Sequence, residues 1–362
     1  MTFKKLARSA ACLAGVFVFV SSSRSSSATA PLLSLLDQFT APEVPAVGPH
    51  EVPQERTWPA PTNTPERPGK GLAQHPMLYA GEGYNTLFLV NEGKVIWSYS
   101  TGRGGEIDDV WLMTNGHILF TRQDYVAEIT PRKEIVWRYD APAGTEVHSA
   151  QPLGLDKVLL VRNGLPPLAM IINKRTGVVE SERALPAQSL TDQKTVHSQF
   201  RRIRMTAAGT YLLPFLKMNR VAEYDRDMKE LWSYEIPTPW AAIRLQNGNT
   251  LIVSESQRLV REVSPKGETV WEFSQKDIPE SAGIRLGNLQ TCDRLANGNT
   301  VIFSSGFGIK RENWPNSIQA VEVTPAKEIV WVLQDWKNLG PATTAQFLDQ
   351  PGIPENPGEL QH

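Results

Sequence analysis

Two histidines sit in the same short phrase, His148 in V-H-S-A-Q and His197 in V-H-S-Q-F. An imidazole changes charge near neutral pH and can serve as acid, base, nucleophile or metal ligand. A repeated residue can equally inherit a repeated structural task, such as bonding a loop carbonyl. Directly after the second phrase, Q-F-R-R-I-R brings Arg201, Arg202 and Arg204 together. Guanidinium groups present paired N–H donors that suit a carboxylate, sulfate or phosphate. The same donors suit acids of a neighbouring segment, Asp108 and Asp109 among them. Alternation along a strand sends Arg202 and Arg204 to one face and Arg201 to the other. Trp240 and Trp314 have flat rings that can stack on a sugar or an aromatic ligand.

Other chemistries leave no trace. The chain has no H-x-x-x-H or H-E-x-x-H run, no nucleophile elbow, no Walker loop and no G-x-G-x-x-G fingerprint. A metal held by His148, His197 and an acid or glutamine is geometrically open, but ligands on separate units cannot be read from spacing, so the sequence assigns no metal ligand and no cofactor. Cysteine occurs only at Cys12 and Cys292, which excludes a disulfide framework and a multi-cysteine zinc or iron–sulfur site. Cys292 reads as a small buried residue.

The elements that must position these residues are repeats. The phrases KVIWSY (94–99), EIVWRY (134–139), ELWSY (230–234), ETVWEF (268–273) and EIVWVL (328–333) share a tryptophan in an alternating segment. A sixth copy, MIINKRTGVVESE (170–182), has Glu180 in its place. Upstream lie hairpins of the form strand–Asn-Gly–strand: WLMTNGHILF (111–120), IRLQNGNTLIV (243–253) and DRLANGNTVIF (293–303). Asn-Gly between apolar runs is a strong hairpin signal and predicts type I′ turns. Each unit is then four short strands, A to D, and units of 40–45 residues signal propeller blades. The tryptophans are expected to pack between neighbouring blades. The first unit, 77–99, lacks strand A, and TTAQFLD (343–349) is an A-type strand without partners. The expectation is an all-β, six-bladed β-propeller in which the C-terminal strand completes the first blade and closes the ring.

In such a ring the starts of the A strands and the B–C loops surround one mouth of the central channel. The candidates gathered there are His148 and His197 as catalytic residues. Asp108, Asp109, Gln151, Asn163, Gln199, Arg201, Arg202, Trp240, Gln290, Trp314 and Gln346 are the ligand-binding candidates.

The segments ending at Trp137, Trp232, Trp271 and Trp331 resemble the pyrroloquinoline-quinone-type propeller repeat. The L-x-N-G-N-T hairpins, followed by E-V and a strand-D tryptophan, resemble the secreted arylsulfotransferase-like propellers over residues 77–349. The first resemblance implies a quinone in enzymes of eight blades, often with a vicinal cysteine pair. This chain has six units and one cysteine beyond residue 30, and no quinone is assigned. The second implies a histidine that carries a sulfuryl group, here His197 or His148, with Arg201 or Arg202 holding the sulfate.

Outside the repeats, residues 1–30 read as a signal peptide: Lys4, Lys5 and Arg8, the apolar run Ala10 to Val20, then Ala28-Thr29-Ala30. The run is too short for a membrane span. Residues 31–76 are rich in proline and read as an extended linker, 77–350 as the propeller and 351–362 as a Pro- and Gly-rich tail. Lys plus Arg is 37 and Asp plus Glu is 38; four of the basic residues lie in the acid-free first 30, so the body is net acidic. That excludes a nucleic-acid binder driven by overall basic charge. The expected location is secreted or periplasmic. Three functions are compatible: a funnel that binds a small anionic or sugar-like ligand, with or without catalysis; an arylsulfotransferase-like enzyme; or a protein-interaction scaffold of the cell envelope.

Overall fold

The computed structural model describes residues 31–39, 74–102, 104–187, 192–305, 310, 313, 317–336 and 338–362. The leader 1–30, residues 40–73 of the linker and Trp314 lie outside the described residues. Among the described residues no helix is long and apolar enough to cross a membrane.

Six four-stranded antiparallel sheets form the blades. Blade 1 holds β1 (Met77–Gly81), β2 (Thr86–Asn91) and β3 (Lys94–Ser100). Blade 2 runs β4 (Val110–Leu112), β5 (Ile118–Arg122), β6 (Tyr125–Ile129) and β7 (Ile135–Asp140). Blade 3 is β8 (Glu146–Leu153), β9 (Lys157–Asn163), β10 (Leu168–Asn173) and β11 (Val179–Ala184). Blade 4 is β12 (Arg204–Met205), β13 (Tyr211–Phe215), β14 (Arg220–Tyr224) and β15 (Glu230–Glu235). Blade 5 is β16 (Pro239–Arg244), β17 (Thr250–Ser254), β18 (Leu259–Val263) and β19 (Thr269–Ser274). Blade 6 is β20 (Leu289–Arg294), β21 (Thr300–Ser304), β22 (Ala320–Val323) and β23 (Ile329–Leu333). The last strand, β24 (Ala342–Phe347), pairs with β1 in the order β24-β1-β2-β3. Closure by the C-terminal strand is therefore as the repeat count predicts, and it removes two open edges.

The Asn-Gly hairpins form, but not with type I′ turns. Only the glycines are left-handed, Gly116 at φ 82°, Gly248 at 86° and Gly298 at 88°. In each, the glycine N–H donates to the carbonyl three residues back, as Gly116 does to Met113 at 2.9 Å. This is a type I turn followed by a left-handed residue, which adds one residue to the loop. The C–D hairpins repeat it with Lys133, Met228, Gly267 and Lys327 in the left-handed position.

The core is divided among the blade interfaces. Each interface carries its own apolar cluster, from Leu89 and Phe120 between blades 1 and 2 round to Phe303 and Phe347 between blades 6 and 1. The strand-D tryptophans belong to these layers. Trp331 is fully buried, and the Trp97 and Trp271 indole N–H groups donate to the carbonyls of Pro131 and Pro325 in the next blade.

A polar clasp accompanies them. In blades 2, 4, 5 and 6 the residue opposite the tryptophan on strand C is a glutamate: Glu128, Glu223, Glu262 and Glu322. Each takes a cation from the following blade, respectively Lys174, Arg244, Arg294 and His75. Arg244 and Arg294 also lie over the Trp232 and Trp271 rings.

Two terminal segments depart from the linker and tail reading. Pro31–Phe39 forms a 3-10 helix whose Leu32, Leu36 and Phe39 are buried between blades 1 and 2, with Phe39 edge-on to Trp97. Its spacing of apolar side chains is a helical stripe that the surrounding prolines obscure. Residues 353–362 fold under the ring: Glu355 accepts from Thr114 N–H and its carbonyl from Gly154 N–H, both in A–B turns.

Candidate functional site

The inner strands contact one another around the axis, and near their starts most of them slip in register. The slip falls between Val147 and Ser149 in β8, Pro239 and Ala241 in β16, and Leu289 and Thr291 in β20. The residues caught in these bulges are His148, Trp240 and Gln290. Blade 4 slips by the same one residue between Phe200, opposite Phe215, and Arg204, opposite Leu212. A bulge re-aims one side chain against the alternation of its strand.

The register shows that His148 and His197 are not equivalent. His197 lies on a 3-10 helix, Gln193–Ser198, inserted before the inner strand of blade 4. The matching phrase V-H-S therefore falls on different elements. The insertion nevertheless carries His197 back over the channel, and the two rings stand 5.5 Å apart, edge to face.

Around them is a dense ionic cluster at the upper mouth. His148 Nδ1 lies 2.6 Å from Asp108 Oδ2 and 3.3 Å from Glu106 Oε2, and its Nε2 is 2.9 Å from Glu146 Oε2. The same Glu146 oxygen is 2.9 Å from His197 Nδ1. Arg201 reaches His197 Nε2 at 2.9 Å, donates to its carbonyl and lies 3.4 Å from Glu106. His148 is fully buried, whereas the His197 side chain is 48% exposed. Burial and the Arg201 charge depress the His148 pKa, but the hydrogen bonds to Asp108, Glu106 and Glu146 prevail and raise it to about 10. Burial pushes Glu106 up; hydrogen bonding to His148 and the Arg201 charge outweigh it and hold the carboxyl at about 2. Glu82, in the B–C loop of blade 1, is raised to about 8 by burial and by the Asp108 and Glu106 charges.

Lower in the channel the charges are spent on the scaffold. Asp109 binds both Arg202 (3.1 Å) and Arg204 (2.8 Å), and Arg202 also donates to the Asp108 carbonyl. Arg202 and Arg204 turn to the same acid, Asp109, and Arg201 turns instead to His197 and Glu106, although the slip in register falls within this segment. The first two serve inter-blade pairing; their donors also reach the main-chain oxygen of His362. The neutral His362 ring packs 4.4 Å from Trp111 and donates to the Val110 carbonyl, so the tail fills the lower channel.

Several other candidates bridge blades. Gln151 accepts from Met205 N–H and Gln346 from Leu112 N–H, at equivalent positions of blades 3 and 1. Asn163 donates to the Phe200 carbonyl, and Gln199 holds both backbone groups of Gly164. Trp240 is buried with the Arg201 guanidinium 4.7 Å from its ring, so that face is taken. Gln290 is buried, with Oε1 free of any hydrogen bond.

The cluster thus joins His148, His197, Arg201 and Asp108 with three acids that sequence reasoning passed over: Glu82, Glu106 and Glu146. For Glu146 a signal existed, since it stands two residues before His148 on one strand. For Glu106 and Glu82, both in loops, none did. One nitrogen of each histidine and one oxygen of Glu106 lie within 4.8 Å of one another, a spacing able to hold a metal ion.

No protein-family model and no curated protein matches the chain. Solved structures do. A protein of unknown function from Bacteroides caccae is 26% identical, with a TM-score of 0.66, over 74% of this chain and 97% of that one. A streptogramin B lyase is 13% identical, with a TM-score of 0.50, over 72% and 80%. A catalytically inactive virginiamycin B lyase from Staphylococcus aureus, solved with quinupristin, is 14% identical, with a TM-score of 0.48, over 68% and 76%. The likeness to the streptogramin B lyase is one of fold alone; the six blades are those of this chain's own sheets.

Proposed function

We propose that the upper mouth binds a small polar ligand, sugar-like or anionic, and that His197 acts on it as acid or base. The observation that carries this reading is the line Glu146–His197–Arg201. Glu146 takes the Nδ1 hydrogen, which leaves the Nε2 lone pair facing Arg201 on a half-exposed ring. A carboxylate-oriented imidazole within reach of solvent is the arrangement of a general base. His148, held between carboxylates on both nitrogens, orients the cluster. Arg201 supplies the cation for an anionic group, a task that Arg202 and Arg204 cannot share while Asp109 binds them.

The test is a thermal-shift and calorimetric panel of sugars, uronic acids and aryl sulfates on the chain and on His197→Asn. A ligand at about 100 times its Kd adds ~2.7 kcal/mol of stability. The expected result is a shift with one class that the variant loses. No shift with any class, or the same shift in both proteins, overturns the reading.

Arg201 beside His197 Nε2 also favours a second reading, sulfuryl transfer. The aryl S–O bond breaks, an N–S bond forms at Nε2 and phenolate departs. Intact mass after mixing with an aryl sulfate tests it, through a one-sulfuryl adduct absent from His197→Asn. On the pattern of residues 1–30 the protein is proposed to act outside the cytoplasm; the N-terminal sequence of the native protein checks this.

A further inference from the structure

We infer that Glu106, His148 and His197 bind a first-row divalent transition-metal ion. The three come from a loop, a strand bulge and an inserted 3-10 helix, so no local motif announces them. The fold brings one donor atom of each within 4.8 Å of the other two. Two imidazoles and a carboxylate suit zinc, iron, nickel, cobalt or manganese, whereas calcium and magnesium favour all-oxygen shells.

The surroundings match what metal-binding histidines require. A ligating histidine donates its second ring N–H to a carboxylate or carbonyl, which fixes the tautomer. Asp108 Oδ2 stands 2.6 Å from His148 Nδ1 and fixes the orientation of that ring. Glu146 Oε2 is 2.9 Å from a nitrogen of each ring, within reach as a further oxygen donor. A second, independent observation points to a cation. Asp108 is 1% exposed, and its Oδ1 has no hydrogen-bond partner; neither does the buried Oε2 of Glu82. Asp108, Glu106 and Glu146 therefore converge on the two imidazoles, with Arg201 the neighbouring arginine. The exposed side of His197 leaves room for a further ligand on the metal.

This assignment goes beyond the ligand reading and is tested without any organic ligand. Cobalt, zinc and calcium chlorides are titrated separately into the purified full chain, followed by calorimetry and, for cobalt, by visible absorption. One cobalt per chain with a ligand-field spectrum is expected, and no calcium binding at the same concentration. Glu106→Gln keeps the shape of the side chain, and His197→Asn changes an exposed one, so both should fold. Each should weaken cobalt binding at least tenfold, and Asp108→Asn by about 10–100-fold through the orientation of His148. Absence of cobalt binding, equal binding by Glu106→Gln and His197→Asn, or calcium binding as tight as cobalt overturns the inference. A chain that binds cobalt but no member of the ligand panel keeps the metal site and loses the ligand reading.

Discussion

At the seam between blades 6 and 1, the cation of the inter-blade clasp is a histidine. His75 Nε2 lies 3.0 Å from Glu322 and Nδ1 3.3 Å from Asp349, while the ring stands edge-on to Trp331 and Phe347 at 4.9 Å. Asp293 also faces it. Burial pulls the His75 pKa down, but the hydrogen bonds and charges of Asp349 and Glu322 carry it from 6.5 up to about 9. The lowered pKa values of Glu322 and Asp349 express the same interaction and add nothing further. The folded state binds this proton more tightly than the unfolded chain. The stabilisation is therefore complete below pH 6.5 and is lost as pH rises through about 9. Its size is on the order of 3 kcal/mol. Urea unfolding of the chain and of His75→Gln, at about pH 6 and about pH 10, measures it. The stability difference between the two proteins should shrink by roughly that amount at the higher pH. His148 titrates in both proteins and cancels in the difference. Parallel pH profiles for the two proteins would refute the seam argument.

Two further outcomes follow from the architecture. A chain ending before Ala342 loses β24 and the buried Ala345, Phe347 and Leu348, and should show no cooperative thermal transition by circular dichroism. Trp331→Ala removes a fully buried ring and should cost about 3–5 kcal/mol, whereas Trp271→Ala, on a partly exposed ring, should cost clearly less; equal losses in denaturant unfolding would show that the tryptophans are not graded by burial.

The ring was readable because its signals are periodic. Trp137, Trp232, Trp271 and Trp331 mark strand D, the Asn-Gly turns mark the A–B hairpins, and the orphan strand near Thr343 finds the open first blade. The turn type was misread because Asn-Gly suits two hairpin geometries, and only the backbone shows that Asn115 stays right-handed while Gly116 does not. The site was harder to read, since bulges break the alternation on which facing arguments rest. His148 and His197 were found by type, but the shared phrase V-H-S suggested an equivalence that register denies. Glu82 and Glu106 sit in loops, where spacing carries no directional information. Gln151 and Gln346 stand on inner strands and Arg202 just before one, yet their donors and acceptors meet other blades.

Closing the first blade with the last strand also sets an order in time. Met77 pairs with Phe347, so the ring cannot shut until that distant strand has been made. Blades 2 to 6 are built from neighbouring hairpins and can form locally, whereas the seam must close a loop of about 270 residues, at roughly 5 kcal/mol of chain entropy. Until then β1 is an open edge able to pair with another chain. The late step in assembly, and the moment of greatest exposure to aggregation, is thus fixed by where the sequence places one six-residue strand.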